Sequence, residues 1–207
     1  MFIGLTIPMQ TDGKTPMTKT TRDEAIIKPS ADGIAASIRA VGKKGPPPVH
    51  LWNPAFCGDI DMRIARDGTW FYLGTPIGRI ELVKLFAGII KREGDAYFLV
   101  TPVEKVGITV EDAPFVAVDF DQTPAGLEFT TNVGDRVLAG PDHAIRVTRD
   151  PDTGEPRPYI HIRANLEALI DRKSFYRLVD IGDHQGDWFG VQSGGSFFPI
   201  IPSSELT

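Results

Sequence analysis

The spacing of apolar and polar residues changes its period along this chain. Between Asp59 and Arg79, two runs of period two flank the pair Asp67-Gly68. Asp-Gly supplies the positive φ that a two-residue type I′ turn requires, so the stretch predicts a β-hairpin with Arg66 facing Thr69. Counting outward, Ile64 faces Phe71 and Met62 faces Leu73, which makes one apolar side. Ala65 then faces Trp70, Arg63 faces Tyr72 and Asp61 faces Gly74, a second side of charges and aromatics. That second side reads either as a solvated surface with Arg63 lying on Tyr72, or as an aromatic-lined binding surface with room above Asp61 at Gly74.

Before the hairpin, Ser30 is placed to cap a short helix through Arg39, with Ile34 and Ile38 on one side and Gly42 ending it. The run K-K-G-P-P-P reads as a stiff, extended connector and Val49 to Trp52 as a short strand. After the hairpin, Leu82, Val83, Phe86, Ile89 and Ile90 share one stripe, which predicts a helix from Arg79 to Glu93. Lys91 and Arg92 would oppose its dipole in the last turn, and Gly94 would follow its end. Tyr97 to Thr101 reads as a buried strand, Pro102 as a turn, and Val106, Ile108 and Val110 as the alternation of the next strand.

A second half begins near Ala113-Pro114. Phe115 to Phe120, Leu127 to Thr131 and Arg136 to Ala139 read as three short strands. Ile145 to Asp150 echoes Met62 to Asp67, and Tyr159 to Arg163 returns as its partner. Asn165 would cap a helix carrying Leu166, Leu169 and Ile170, and a last hairpin turns at Gly194-Gly195. Hairpin, helix, hairpin thus occurs twice. The expected class is α+β with two topologically similar halves and mainly antiparallel strands: a flexible tail over 1–29, with Met17 an alternative start, a first unit over 30–113 and a second over 114–207. Clefts between such units are common ligand sites.

Composition adds bounds to this picture. With 21 glycines and 17 prolines in 207 residues, many short strands and turns are favoured over long helices. The net charge of −5, without a basic stripe, argues against general nucleic-acid binding. A single cysteine, Cys57, excludes an intramolecular disulfide and fits a reducing compartment. The N-terminus lacks a basic leader segment, and the apolar stretch Ile80 to Ile90 is interrupted and too short to span a bilayer. A cytoplasmic location without a membrane partner is expected.

The motifs that announce chemistry are missing. There is no dinucleotide or phosphate-binding glycine loop and no H-E-x-x-H; in Gly190 to Gly194 the serine stands one place too late for a nucleophile elbow. The calcium-like start at Asp119 has proline where the loop needs glycine and Thr130 where it needs a bidentate carboxylate. His50, His143, His161 and His184 show no ligand spacing, so neither a metal nor another cofactor is expected. Cys57, between Phe56 and Gly58, has no local cation to activate it and reads as a small buried thiol. Two constellations remain. Asp59, Asp61 and Arg63 share a strand face, the carboxylates ~6.5–7 Å apart at Cα, a spacing open to acid–base work, a divalent cation or plain repulsion relieved by Arg63. Thr101 to Lys105 forms a polar kink in which Glu104 and Lys105 are either a surface ion pair or part of a site. Arg79, Arg163 and Arg172 would suit an anionic group if the halves face each other, or serve as ordinary surface charges.

Several strings are similar to the bacterial domain-of-unknown-function family DUF1285. They are W-N-P-A-F-C-G-D-I-D-M-R-I from Trp52, D-G-T-W-F-Y from Asp67, P-I-G-R from Pro76, L-V-T-P-V-E-K from Leu99 and V-E-D-A-P-F from Val110. The resemblance runs from about Pro48 to Pro199. It implies two similar α+β halves and a suspected ligand-binding or signal-transduction role, and it assigns no catalytic residue. The leading expectation is therefore a non-catalytic regulatory protein that binds a small polar ligand between its halves, near Asp59, Asp61, Arg63, Trp70, Tyr72, Arg79, Thr101, Glu104, Lys105 and Arg163. The alternatives are a hydrolase using Asp59 and Asp61, and a protein-interaction module pairing through a strand edge or the W-F-Y-L run.

Overall fold

The computed structural model describes residues 30–41 and 47–206. The expected tail, the Gly42 stop and the start of the proline connector lie outside them. Helix α1, Ala31–Val41, begins at Ser30, whose hydroxyl accepts from the Gly33 amide at 3.2 Å, and it buries Ile34 and Ile38. Val49–Leu51 is a single 3-10 turn rather than a strand. The carbonyls of Pro47 and Pro48 take the amides of Val49 and Leu51, which closes the turn locally.

The first sheet contains β1 Phe56–Ile64, β2 Trp70–Tyr72, β3 Thr75–Pro76, β4 Ile90–Glu93, β5 Ala96–Val100 and β6 Lys105–Val110. Helix α2, Ile80–Ala87, lies between β3 and β4. The second sheet contains β7 Phe115–Thr123, β8 Gly126–Thr131, β9 Arg136–Leu138, β10 Ile145–Arg149, β11 Pro156–Arg163 and β12 Leu166–Ile170. The first runs β3-β2-β1-β6-β5-β4 and the second β9-β8-β7-β12-β11-β10. Numbered from one to six within each half, both read 3-2-1-6-5-4. In each, a parallel pair, β1 with β6 and β7 with β12, joins two antiparallel meanders. Helix α3, Arg172–Asp180, and a three-stranded sheet of β13 Asp183–Gln185, β14 Trp188–Ser193 and β15 Ser196–Pro202 complete the second half.

The halves are thus alike, but not in the phase the sequence suggests. The hairpin β1–β2 corresponds to β7–β8, and Ile145 to Arg149 occupies the place of β4. The helices differ too: α2 sits between the third and fourth strands, whereas α3 follows the sixth. The expected helix from Arg79 to Glu93 stops at Ala87, and Gly94, at φ 61, is the first residue of a two-residue β4–β5 turn pairing Glu93 with Ala96. The expected helix after Asn165 is strand β12. Leu166, Ala168 and Ile170 are buried alternately, and Ala164-Asn165 forms the tight turn from β11.

The first hairpin is slipped by one residue relative to the expected pairing. Met62 faces Tyr72, Arg63 faces Phe71 and Ile64 faces Trp70. The Ala65 amide bonds to the Thr69 carbonyl and the Gly68 amide to the Ala65 carbonyl, with Gly68 at φ 82. The loop is therefore three residues, a turn followed by a left-handed glycine, and one extra residue moves every partner to the opposite side. Trp70 and Tyr72 consequently share the core side with Met62 and Ile64. Arg63 lies over the Phe71 ring at 4.2 Å, not over Tyr72.

One apolar cluster joins both halves. It includes Ile34, Trp70, Phe86 and Leu99 from the first with Phe115, Phe129, Ile160 and Leu178 from the second. Trp70 is 1% exposed and stacks on Phe86, ring centroids 6.2 Å apart. No helix among the described residues is long and apolar enough to cross a membrane.

Candidate functional site

Most residues of the expected hairpin site have individual partners within the first half. Asp59 and Asp61 are exposed on β1, and the Asp59 carboxylate fills the space beside Gly107, where a Cβ would collide with it. Arg63 is paired with Glu111. Trp70 is enclosed in the core, and the Tyr72 hydroxyl accepts from the Ala31 amide at 3.4 Å, which ties α1 to the sheet. Arg79 precedes α2 on the surface. Thr101 is fully buried, and its hydroxyl accepts the Glu104 amide at 3.1 Å and the Val103 amide at 3.3 Å, so the kink is a turn held by its own threonine. Glu104 accepts from the Ser37 hydroxyl at 3.4 Å. Lys105 bonds to Glu93 at 3.0 Å, and hydrogen bonds from Lys105 and Lys91 hold the Glu93 carboxyl below the usual carboxylate range. Cys57, expected to be buried, is exposed, its thiol 3.4 Å from the Ala55 carbonyl.

Arg163 is the exception among these residues. It stands at the end of β11, where the β11–β12 turn reaches the first half. Its guanidinium donates to Asp135 at 2.6 Å and to the Ala87 carbonyl at 2.9 Å, and lies 4.8 Å from the Phe115 ring centroid. Asn165, two residues on, donates to the Arg92 carbonyl at 3.1 Å. These two side chains bridge the halves beside a cleft of about 800 Å³.

The cleft has an apolar floor and a cationic wall. Ala87, Ile90, Val133, Val137, Ile162 and Leu166 contribute the floor. Lys84, Lys91, Arg92, Arg136 and Arg163 contribute five cations against the single carboxylate of Asp135. Most of their ion-pair partners sit outside the lining: Glu81 for Lys84 at 3.7 Å, Glu93 for Lys91 at 3.1 Å and Asp95 for Arg92 at 3.4 Å. Pairs whose acid is as exposed as Glu81 and Asp95 are weak, ~0–1 kcal/mol each, so Lys84 and Arg92 can reorient toward a bound anion. His143 also lines the cleft, its Nδ1 3.0 Å from the His161 carbonyl. Of these cations the sequence points only to Arg163, because Lys91 and Arg92 read as a helix end and Arg136 as part of an ordinary strand. The one available signal is the close spacing of Lys84, Lys91 and Arg92 around Gly88 in an acidic chain.

Comparison with known proteins places this architecture. The N-terminal domain profile of DUF1285, a domain of unknown function, matches residues 47–113, and the C-terminal domain profile matches residues 114–200. A crystal structure of a DUF1285 family protein from Silicibacter pomeroyi is similar at 64% identity and TM-score 0.79, covering 86% of this chain and 99% of that one. Another, from Shewanella baltica, is 33% identical over 57% of this chain and 90% of its own, with TM-score 0.47. No curated protein matches. With both domain profiles matched in order across the two six-stranded units, the chain belongs to the DUF1285 family.

Proposed function

We propose that this protein binds a small anionic molecule in the cleft between its halves and acts through that binding in a regulatory role. The observation that carries the reading is the charge of the lining: five Lys or Arg against one Asp, in a chain whose net charge is −5. Concentrating cations against the sign of the whole molecule, around an apolar floor, favours an anion with an apolar or planar body. The volume, about 800 Å³, falls in the range of small-ligand sites. Because Arg163 and Asn165 bond across to Ala87 and Arg92 at the same place, a ligand there would bear on how the halves are held, which supports a regulatory role. Asp59 and Asp61, on which the hydrolase alternative rests, lie on an exposed strand outside this cleft's lining.

A thermal-shift and calorimetric panel of inorganic phosphate, dicarboxylates, sugar phosphates and nucleotides tests this. A ligand present at 100 times its dissociation constant adds ~2.7 kcal/mol of stability. Lys91→Glu, at a half-buried cleft position, is expected to weaken that ligand by about ten-fold or more, equivalent to ~1.4 kcal/mol. Silence across the panel, or an anion whose affinity ignores Lys91→Glu and Arg136→Glu alike, would overturn the assignment.

A further inference from the structure

A second recess, of about 470 Å³, lies where the β1–β2 turn meets β11, β12 and the start of α3. Pro156, Pro158, Leu169, Ile170 and Phe175 give it an apolar wall. Its charged groups are Arg66, Asp112, Asp150, Glu155, Arg157 and Arg172. Arg157 pairs with Asp150, and Asp150 also accepts the amides of Asp152 at 2.9 Å and Thr153 at 3.0 Å, so both are engaged in shaping the β10–β11 loop.

Asp112, Arg66 and Arg172 are different. The Asp112 side chain is only 8% exposed. Its Oδ1 accepts from the Tyr159 hydroxyl at 2.7 Å, while its Oδ2 has no hydrogen-bond partner. Burial, with that bond, pushes the Tyr159 phenol up to about 12, so the tyrosine remains a hydrogen-bond donor to Asp112. The nearest cation to Oδ2 is Arg66 Nε at 3.6 Å, outside hydrogen-bond range, on a side chain that is 60% exposed and can give way. Among the described residues no carboxylate lies within 4 Å of Arg172, whose guanidinium sits 5.9 Å from the Tyr176 ring centroid. A buried carboxylate oxygen without a donor is costly, and an ammonium group supplies the strongest correction.

We propose that this recess is a second ligand site, specific for a small zwitterion of the α-amino-acid class with an apolar side chain. The ammonium group bonds Asp112 Oδ2, the carboxylate is taken by Arg172 and the displaced Arg66, and the side chain lies against Leu169, Ile170 and Phe175. A dianion would meet Asp112 and Glu155, a simple amine would leave Arg172 unmatched, and a simple acid would leave Oδ2 unmatched. Each of those is a poorer fit than a molecule carrying both charges.

The test is calorimetric titration of the full chain with L-leucine and L-phenylalanine, each beside its amide, which lacks the carboxylate, and its N-acetyl form, which lacks the ammonium. One free amino acid is expected to bind, with both derivatives weaker by about ten-fold or more. Arg172→Gln, at an exposed helix position, should weaken it by a similar factor, and Asp112→Asn should abolish it. Lys91→Glu, in the other cleft, should leave it unchanged. The proposal is overturned if neither free amino acid binds at about 10 mM, if an N-acetyl form binds as well as its parent, or if Arg172→Gln has no effect. Because Arg172 is exposed, that variant decides the matter even if Asp112→Asn fails to fold.

Discussion

Leu73 occupies a conformation its side chain disfavours. It is the first central residue of the β2–β3 turn, at φ 50, followed by Gly74 at φ 73, with Tyr72 paired to Thr75. A turn with both central residues left-handed prefers Asn-Gly, and a leucine there carries a strain of ~1 kcal/mol or more. Its side chain is exposed, so nothing in the packing offsets that strain. Leu73→Asn should therefore stabilise the protein by about 1 kcal/mol, seen as a higher urea midpoint with an unchanged slope. The neighbouring turn shows the opposite constraint: a Cβ on Gly68 would lie 2.6 Å from Asn132 Nδ2 and 3.0 Å from Val116 Cγ2. Asp67-Gly68 was legible as a turn from sequence, but its three-residue length was not, because that length is set by how the hairpin meets Val116 and Asn132 of the other half.

At the scale of elements, local spacing named the strands better than the helices. Leu166, Leu169 and Ile170 satisfy a helical stripe, yet Leu166, Ala168 and Ile170 satisfy a strand equally well, and pairing with β7 and β11 settles the choice. The true cap stands six residues later than the supposed one. Asp171 accepts the Ser174 amide at 2.7 Å, and α3 buries Phe175 and Leu178. Asp171→Ala should cost ~1 kcal/mol and lower the melting temperature, whereas Asn165→Ala should act through the lost bond to Arg92 rather than through any helix. If Asp171→Ala left stability unchanged, the cap would not be what starts α3. In the first half, β-branched Ile90 gives up helix for a strand because β5 offers it a partner at Leu99.

At the scale of the molecule, two repeats share one core. Trp70 and Phe86 belong to the same apolar cluster as Phe115 and Ile160, and polar bridges such as Tyr159 to Asp112 reinforce the seam. Units coupled through a common core unfold together. Scanning calorimetry should therefore show a single transition whose calorimetric and van't Hoff enthalpies agree; two resolved transitions would mean the seam is weaker than its packing suggests.

The sequence alone determined the α+β class, the presence of two similar halves, most strand positions and the family resemblance. These depend on local alternation, turn residues and composition, which act within a few positions along the chain. It also singled out Arg163 and Arg172, though without saying which other groups would face them. Only the tertiary structure decided the hairpin register, the common 3-2-1-6-5-4 order and the phase of the repeat, since strand partners far apart in sequence compete for the same edges. The cationic cleft was likewise invisible beforehand, because Lys91, Arg136 and Arg163 come from different strands and become neighbours only when the two sheets close on one core.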